Sequence, residues 1–224
     1  MPSLRVAVLI SGRGSNLQAL IEVCADPRYP AEIGVVISNR ADAPGLERAA
    51  AAGIPAEVVA ERDRPAFAAA ADALLRRHGI DLVCLAGFMR LLDRPFVEAW
   101  RDRMVNIHPS LLPAFPGLDA QRQALEAGVR FAGCTVHFVR PETDTGPIVA
   151  QAVVPVLPGD DVTSLSARIL AAEHRLYPLA LRLIAEGRVS VAGKRAEIEG
   201  WLAPTAVLLN PCAAHPEALV STGG

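Results

Sequence analysis

Asn106 and His108 stand two positions apart in the run Met104-Val-Asn-Ile-His-Pro-Ser-Leu-Leu-Pro113. If the run opens as a strand, backbone alternation puts both side chains on one face. A carboxamide beside an imidazole can meet a developing oxyanion with N–H donors while the ring moves a proton. The plainer alternative is an Asn that satisfies a turn and a His that ends a strand. Further along, Asp144 lies in the polar loop Pro141-Glu-Thr-Asp-Thr-Gly-Pro147, between two apolar runs. Such a carboxylate either orients and charge-stabilises an imidazole or makes a local turn through an Asx hydrogen bond. His137 alternates with Thr135 along Cys134–Val139 and points either to the same site or to a buried hydrogen bond.

A second chemical feature is Ser11-Gly-Arg-Gly-Ser-Asn16, between an apolar run and a helical pattern. Glycines let the backbone turn with its amides outward, and a helix start adds free N–H groups and a positive dipole end. Gly14, Ser15 and Asn16 therefore form either a seat for a phosphate or a tight turn with Ser15 or Asn16 as helix cap. The third glycine of a dinucleotide fingerprint is absent, and so is the lysine of a nucleotide P-loop. Cys24, Cys84, Cys134 and Cys212 lie far apart with no Cys-x-x-Cys pair, so no metal-ligand spacing is present.

The elements that must position these residues read as an alternation. Leu4–Ile10 is a buried strand, followed by a helix through Leu17, Leu20 and Ile21. Ile33–Ile37 repeats the pattern, and Pro44 opens a helix that ends near Gly53. Glu57–Val59, Asp81–Leu85 and Met104–Ile107 are further strands, with a helix over Arg64–His78. Strands separated by helical crossovers predict a parallel, doubly wound α/β sheet. After residue 107 prolines punctuate the chain, and longer strands are expected over Cys134–Val139 and Val149–Val156. A long amphipathic helix is predicted from about Val162 to Glu186, then a hairpin of Val189–Ala192 and Arg195–Ile198 around Gly193-Lys194.

With 224 residues, 51% hydrophobic and 21% charged, the chain can build one generous core and is not wholesale disordered. A net charge of −2 speaks against a general nucleic-acid binder, so an anionic ligand needs a local site. The apolar run at the N-terminus is too short for a signal segment or a membrane span. Scattered cysteines in apolar surroundings fit a reducing, cytoplasmic setting.

At these residues the sequence resembles the folate-dependent formyltransferase family. The resemblance runs from about Arg5 to Arg188 through VLISGRGSNLQAL, ISNRADAPGLERA, LAGFMRLL, NIHPSLLPAFPG, RQALEAGV, GCTVHFV, DTGPIVAQ and AEHRLYP. It implies a mostly parallel, Rossmann-like single domain over 1–200, the N-terminal half serving the phosphate and nucleotide side and the C-terminal half the folate side. A C-terminal tail over 201–224 is expected to be partly disordered. The implied reaction moves the formyl group of 10-formyltetrahydrofolate, a co-substrate, to the amine of glycinamide ribonucleotide in purine biosynthesis, without a metal.

By the same resemblance Asn106, His108 and Asp144 match the family's catalytic residues. Gly14, Ser15 and Asn16 match its substrate-phosphate loop, and Glu173 matches an acidic residue at the ribonucleotide site. Arg64, Met89, Arg90, Leu91 and Leu92 match the folate side, as does the backbone of Arg140, Pro141, Glu142, Thr143 and Asp144. A flat pterin wants an apolar slot edged by backbone polar groups, which Phe88–Leu92 supplies, while Arg64 and Arg90 are expected to face the folate's carboxylates. The implied partners are small molecules, with neither nucleic acid nor membrane, in a monomer or homodimer. The chain departs from the family pattern at Ala114, Asp119 and Gln121, where a lysine and two histidines are usual.

Three rivals share parts of this pattern. Methionyl-tRNA formyltransferases are expected to add a basic C-terminal domain for which the chain has no room. Formyltetrahydrofolate deformylases usually carry an extra N-terminal domain, whereas this chain starts at its first sheet strand. A nucleotide-binding module would keep the glycine turn but has no use for Asn, His and Asp around one crevice.

Overall fold

The computed structural model describes residues 3–200 and 207–211. The chain opens with β1 (Leu4–Ile10), α1 (Ser15–Cys24), β2 (Ala31–Ser38), α2 (Gly45–Ala51), β3 (Ala56–Val58), α3 (Arg64–Arg77) and β4 (Leu82–Leu85). It continues through α4 (Arg94–Ala99), β5 (Met104–His108), α5 (Ala120–Glu126), β6 (Phe131–Phe138), β7 (Ile148–Pro155), α6 (Val162–Ala185), β8 (Val189–Ala192) and β9 (Arg195–Ile198). Most elements fall where hydrophobic periodicity puts them, with ends shifted by a few residues. The short helices α4 and α5 are absent from the sequence reading. The expected tail lies outside the described residues except for 207–211.

Seven strands form one sheet in the order β3-β2-β1-β4-β5-β6-β7, and β8 and β9 form a separate hairpin. The strands from β1 to β5 pair in parallel, whereas β6 and β7 join antiparallel. A strand covered by helices on both faces must be apolar throughout, and β1 is buried over its last five positions. Its side chains split by alternation. Val6, Val8 and Ile10 join Leu17 and Leu20 of α1 and Leu165, Ile169 and Leu181 of α6. Ala7 and Leu9 join Phe67, Ala71 and Leu75 of α3 and Phe96 of α4.

Helix starts follow local capping chemistry. Asp63 accepts from the Ala66 N–H at 3.0 Å ahead of α3, and Asp93 accepts from the Phe96 N–H at 3.0 Å ahead of α4. Asp161 and Ser164 close a reciprocal capping box at the head of α6.

From β1 the chain steps outward through β2 to β3, then returns to the other side of β1 for β4 and β5. This reversal is where open α/β sheets hold ligands, in the crevice at the carboxyl ends of the strands. The glycine turn follows β1, and Asn106 and His108 end β5. The two are two strand spacings apart on one edge, about 10 Å.

A buried hydroxyl ties α6 to that edge: Tyr177 donates toward the carbonyl oxygens of Leu85 at 3.0 Å and Val105 at 3.3 Å. Among the described residues, no helix is long and apolar enough to cross a membrane. Tyr177→Phe removes this buried hydroxyl contact and should lower the unfolding free energy by about 0.5–1.5 kcal/mol. Urea titration checks this, and a midpoint equal to that of the wild type would mean the hydroxyl does not help hold α6 on the sheet.

Candidate active site

The antiparallel register of β5 and β6 sets Asn106 opposite His137 and His108 opposite Thr135. The Asn106 Nδ2 lies 3.3 Å from the His137 Nε2, and the His137 Nδ1 lies 2.9 Å from the carbonyl oxygen of its neighbour Phe138. His137 thus fills both roles left open for it, one nitrogen in the site and the other in a buried hydrogen bond. The loop after β6 returns Asp144 into the same cluster. Its Oδ2 is 3.4 Å from the His108 Nδ1, and its Oδ1 is 3.7 Å from the His137 Nε2. Asn106, His108 and Asp144 therefore come together, with His137 as a fourth member.

The carboxylate is 9% exposed, and it accepts the Gly117 N–H at 2.8 Å. A buried anion without such donors would be strongly unfavourable. Asp144 adopts a positive φ of 55°, and Gly146 presses so closely on β6 that a Cβ there would meet the Phe138 carbonyl oxygen at 1.6 Å. The glycine lets the loop lie flat enough for Asp144 to reach His108.

Both ring nitrogens of His108 face acceptors, the Nδ1 facing Asp144 and the Nε2 facing the Phe115 carbonyl oxygen at 3.0 Å. A ring with hydrogens on both nitrogens satisfies both contacts. The segment that carries Phe115 is anchored from below. Thr135 donates to the Ser110 carbonyl at 2.7 Å and accepts from the Leu112 N–H at 3.1 Å, while Gln151 donates to the Leu112 carbonyl at 2.9 Å. Thr135, Gln151 and Gly117 were not singled out as site residues, and only the alternation of Thr135 with His137 hints at its role. Ala114 and Asp119 are exposed and Gln121 half-buried.

The glycine turn opens a cavity of about 490 Å³ lined by Ser11 to Asn16, Asn39, Arg40 and Met89. Gly14, with φ of 68°, is the N-cap of α1, and that helix has no side-chain cap. Its first-turn amides are thus available to an anion. A Cβ on Gly14 would lie 2.8 Å from the Gly45 Cα, so the turn is packed tightly on α2. Arg48 donates to the Arg13 carbonyl at 2.9 Å and braces the same turn. Asn16 donates to the buried Glu173 at 2.7 Å. Burial raises the Glu173 carboxyl above its usual range, partly offset by that hydrogen bond.

Met89 and Leu91 are 73% and 56% exposed and form an apolar surface that the described residues leave uncovered. Leu92 is half-buried and Arg64 exposed at the head of α3. The Arg94–Glu142 ion pair at 2.7 Å ties this segment to the loop of Arg140, Pro141, Glu142 and Thr143. The Arg90 guanidinium, expected to meet the folate's carboxylates, donates to the carbonyls of Glu61, Arg62 and Asp63 and stacks 4.7 Å from the Phe67 ring centre. The Arg140 guanidinium likewise pairs with Asp102.

The profile described as Formyl transferase matches residues 4–181. The chain belongs to the formyl transferase family. It is 43% identical to the phosphoribosylglycinamide formyltransferase of Escherichia coli (strain K12) over 204 residues, covering 90% of this chain and 96% of that protein. It is 53% identical over 190 residues to the trifunctional purine biosynthetic protein adenosine-3 of Homo sapiens, covering 84% of this chain and 19% of that protein. The chain thus spans about a fifth of the length of that relative. Glycinamide ribonucleotide transformylase 1 from Symbiobacterium toebii has the same fold, with a TM-score of 0.85 and 57% identity over 88% of this chain and 94% of that one. The span matched to the formyl transferase family takes in the whole cluster and ends within α6.

Burial holds the His137 ring below its usual pKa of 6.5, and the nearby charges of His108 and Arg140 push the same way. The Phe138 carbonyl and Asp144 oppose this in part. Because the folded-state value is lowered, this contribution to stability is complete above pH 6.5 and is lost as the pH falls below it. Glu173 acts in the opposite sense: its raised carboxyl favours the folded state as the pH falls. Comparing wild type with His137→Asn isolates the imidazole. Between pH 7 and pH 5 the urea midpoint should fall further in the wild type than in the variant. Equal falls would mean that His137 is not buried in its neutral form.

Proposed function

We propose that this chain transfers the formyl group of 10-formyltetrahydrofolate to the amine of glycinamide ribonucleotide, a step of purine biosynthesis. The observation that carries this reading is the cluster of Asn106, His108, His137 and Asp144 at the end of β5, on the same sheet edge as the uncapped turn at Gly14. A substrate with a phosphate at one end and an amine at the other would span that gap. The names of the relatives point to the same acceptor.

In this reading the amides of Gly14, Ser15 and Asn16 hold the phosphate, with Glu173 beside them on α6. The exposed apolar faces of Met89 and Leu91, with Leu92 and the backbone of Arg140 to Thr143, fit a flat, partly apolar ring system. Arg64 stands exposed for a carboxylate, and Arg90 braces the loop that leads into Arg64. The folate supplies an electrophilic formyl carbon.

The amine attacks that carbon, and Asn106 donates an N–H to the oxygen that gains charge. His108 exchanges its bond to the Phe115 carbonyl for a bond to the same oxygen, held by Asp144 through the Nδ1. The proton lost by the attacking amine leaves with the folate nitrogen, so the charge is balanced once the C–N bond to the folate breaks. Free thiols at Cys24, Cys84 and Cys134 fit a reducing compartment, and we assign the reaction to the cytoplasm.

The test follows 10-formyltetrahydrofolate with and without glycinamide ribonucleotide. Loss that depends on the acceptor is expected. Loss without acceptor would make the chain a hydrolase, and no loss would leave a binding module. Asn106→Ala and His108→Ala should each lower turnover at least about a hundredfold while the fold persists by circular dichroism. Near-normal turnover in both variants would remove the centre.

A further inference from the structure

An amide side chain has two ends of nearly equal shape and opposite hydrogen-bond sense, so an Asn that must donate needs something to choose the end. For Asn106 the chooser is His137. The Nδ1 of His137 is 2.9 Å from the Phe138 carbonyl oxygen, which can only accept, so this nitrogen carries the hydrogen. In the neutral ring the Nε2 is then a bare acceptor, and it lies 3.3 Å from the Asn106 amide. Only the NH2 end completes that contact, because the carbonyl end would set lone pair against lone pair. One Asn106 N–H is thereby committed to His137, and the orientation of the second is fixed with it.

We propose that His137 is a positioning residue: as its Nδ1–H tautomer it accepts from Asn106 and aims the remaining Asn106 N–H at the oxygen that gains charge. The role in turnover rests on the formyl-transfer reading, whereas the tautomer does not. Without the acceptor, the amide is free to turn over and present its own oxygen, which repels the developing charge instead of stabilising it.

The surroundings keep the ring in the required form. Its side chain is 3% exposed on β6, and the charged groups acting on it are Asp144, His108 and Arg140. Burial is the largest influence and disfavours the doubly protonated ring. The Asp144 Oδ1 is 3.7 Å from the Nε2, beyond hydrogen-bond reach, so the carboxylate does not compete with Asn106 for that nitrogen. Protonation would put an N–H against the Asn106 NH2 and remove the acceptor on which the amide depends.

Two measurements test this. Nitrogen-15 spectra of the histidine side chains in the full chain at neutral pH should give His137 a protonated Nδ1 and a bare Nε2. A proton on the Nε2 would overturn the proposal. The second is a double-mutant cycle of His137→Asn and Asn106→Ala, in which the new Asn keeps a donor near the Phe138 carbonyl and deletes the acceptor. His137→Asn alone should lower kcat by about tenfold to a hundredfold, with KM for both substrates within about twofold. In the Asn106→Ala background it should lower kcat no further.

An equal drop in both backgrounds would make His137 merely structural and overturn the proposal. If His137→Asn does not fold, the wild-type spectra decide. A wild type that transfers no formyl group sinks the functional reading, and the nitrogen shifts still decide the tautomer.

Discussion

Asp144 is a carboxylate buried among two imidazoles and a backbone amide, and the rest of the site is arranged so that this anion has donors. Desolvating a charge costs several kcal/mol unless hydrogen bonds replace the lost water. Here the compensation comes from separate stretches of chain: the Gly117 N–H donates at 2.8 Å, and the His108 Nδ1 at the end of β5 lies 3.4 Å away, at ion-pair distance. Neither would be in place without the other parts. Gly117 is presented by a segment that turns through positive φ at Phe115 and Asp119. Asp144 reaches inward because Gly146 lets its loop lie against the Phe138 carbonyl. The anion thus acts as a check on the whole edge, since a displaced loop would bury a charge without partners.

The sheet makes the pairing of Asn106 and His137 a matter of register. Side chains alternate along a strand, so a slip of one residue between β5 and β6 would turn the partner to the other face. Apolar packing forbids that slip. Val136 and Phe138, flanking His137, are buried in the core with helix α6, as are Val105 and Ile107, flanking Asn106. The polar residues face the opposite way because their neighbours must face the core. The change from parallel to antiparallel pairing after β5 matters equally: β6 runs back past Asn106 to leave beside Met104, at the start of β5, and the 140–147 loop then folds back to bring Asp144 to His108.

Long, strongly periodic elements were legible in the sequence: β1, α3, α6 and the β8–β9 hairpin lie within a residue or so of the periodic patterns. The helices α4 and α5 were missed because six or seven residues are too few to establish a helical period. In α4 a local signal existed, as Asp93 and Pro95 form a cap and a first turn. In the site, residue type and spacing reached Asn106, His108 and Asp144, because that chemistry needs those groups. They did not reach Gly117, whose contribution is a backbone N–H and so is blind to side-chain type. Nor did they reach Thr135 and Gln151, whose hydrogen bonds go to backbone carbonyls far along the chain. The contacts of Arg90 were hidden for a related reason: a guanidinium is equally suited to a ligand carboxylate or to three carbonyls of its own chain, and sequence does not reveal which comes within reach.

The two histidines around Asp144 differ not in type or burial but in which backbone oxygen each meets and through which nitrogen. His108 spends its Nε2 on the Phe115 carbonyl and turns its Nδ1 to the carboxylate, so both nitrogens face acceptors. His137 spends its Nδ1 on the Phe138 carbonyl and turns its Nε2 to an amide donor. The same ring is thus suited to positive charge in one position and to neutrality in the other. These backbone contacts make the two imidazoles beside one carboxylate inequivalent before any ligand arrives. The division has a chemical use, because one ring can carry charge to the reacting oxygen while the other, kept neutral, holds the amide that meets the same oxygen. It also explains why a single carboxylate suffices, for only one of the two rings asks for a counter-charge.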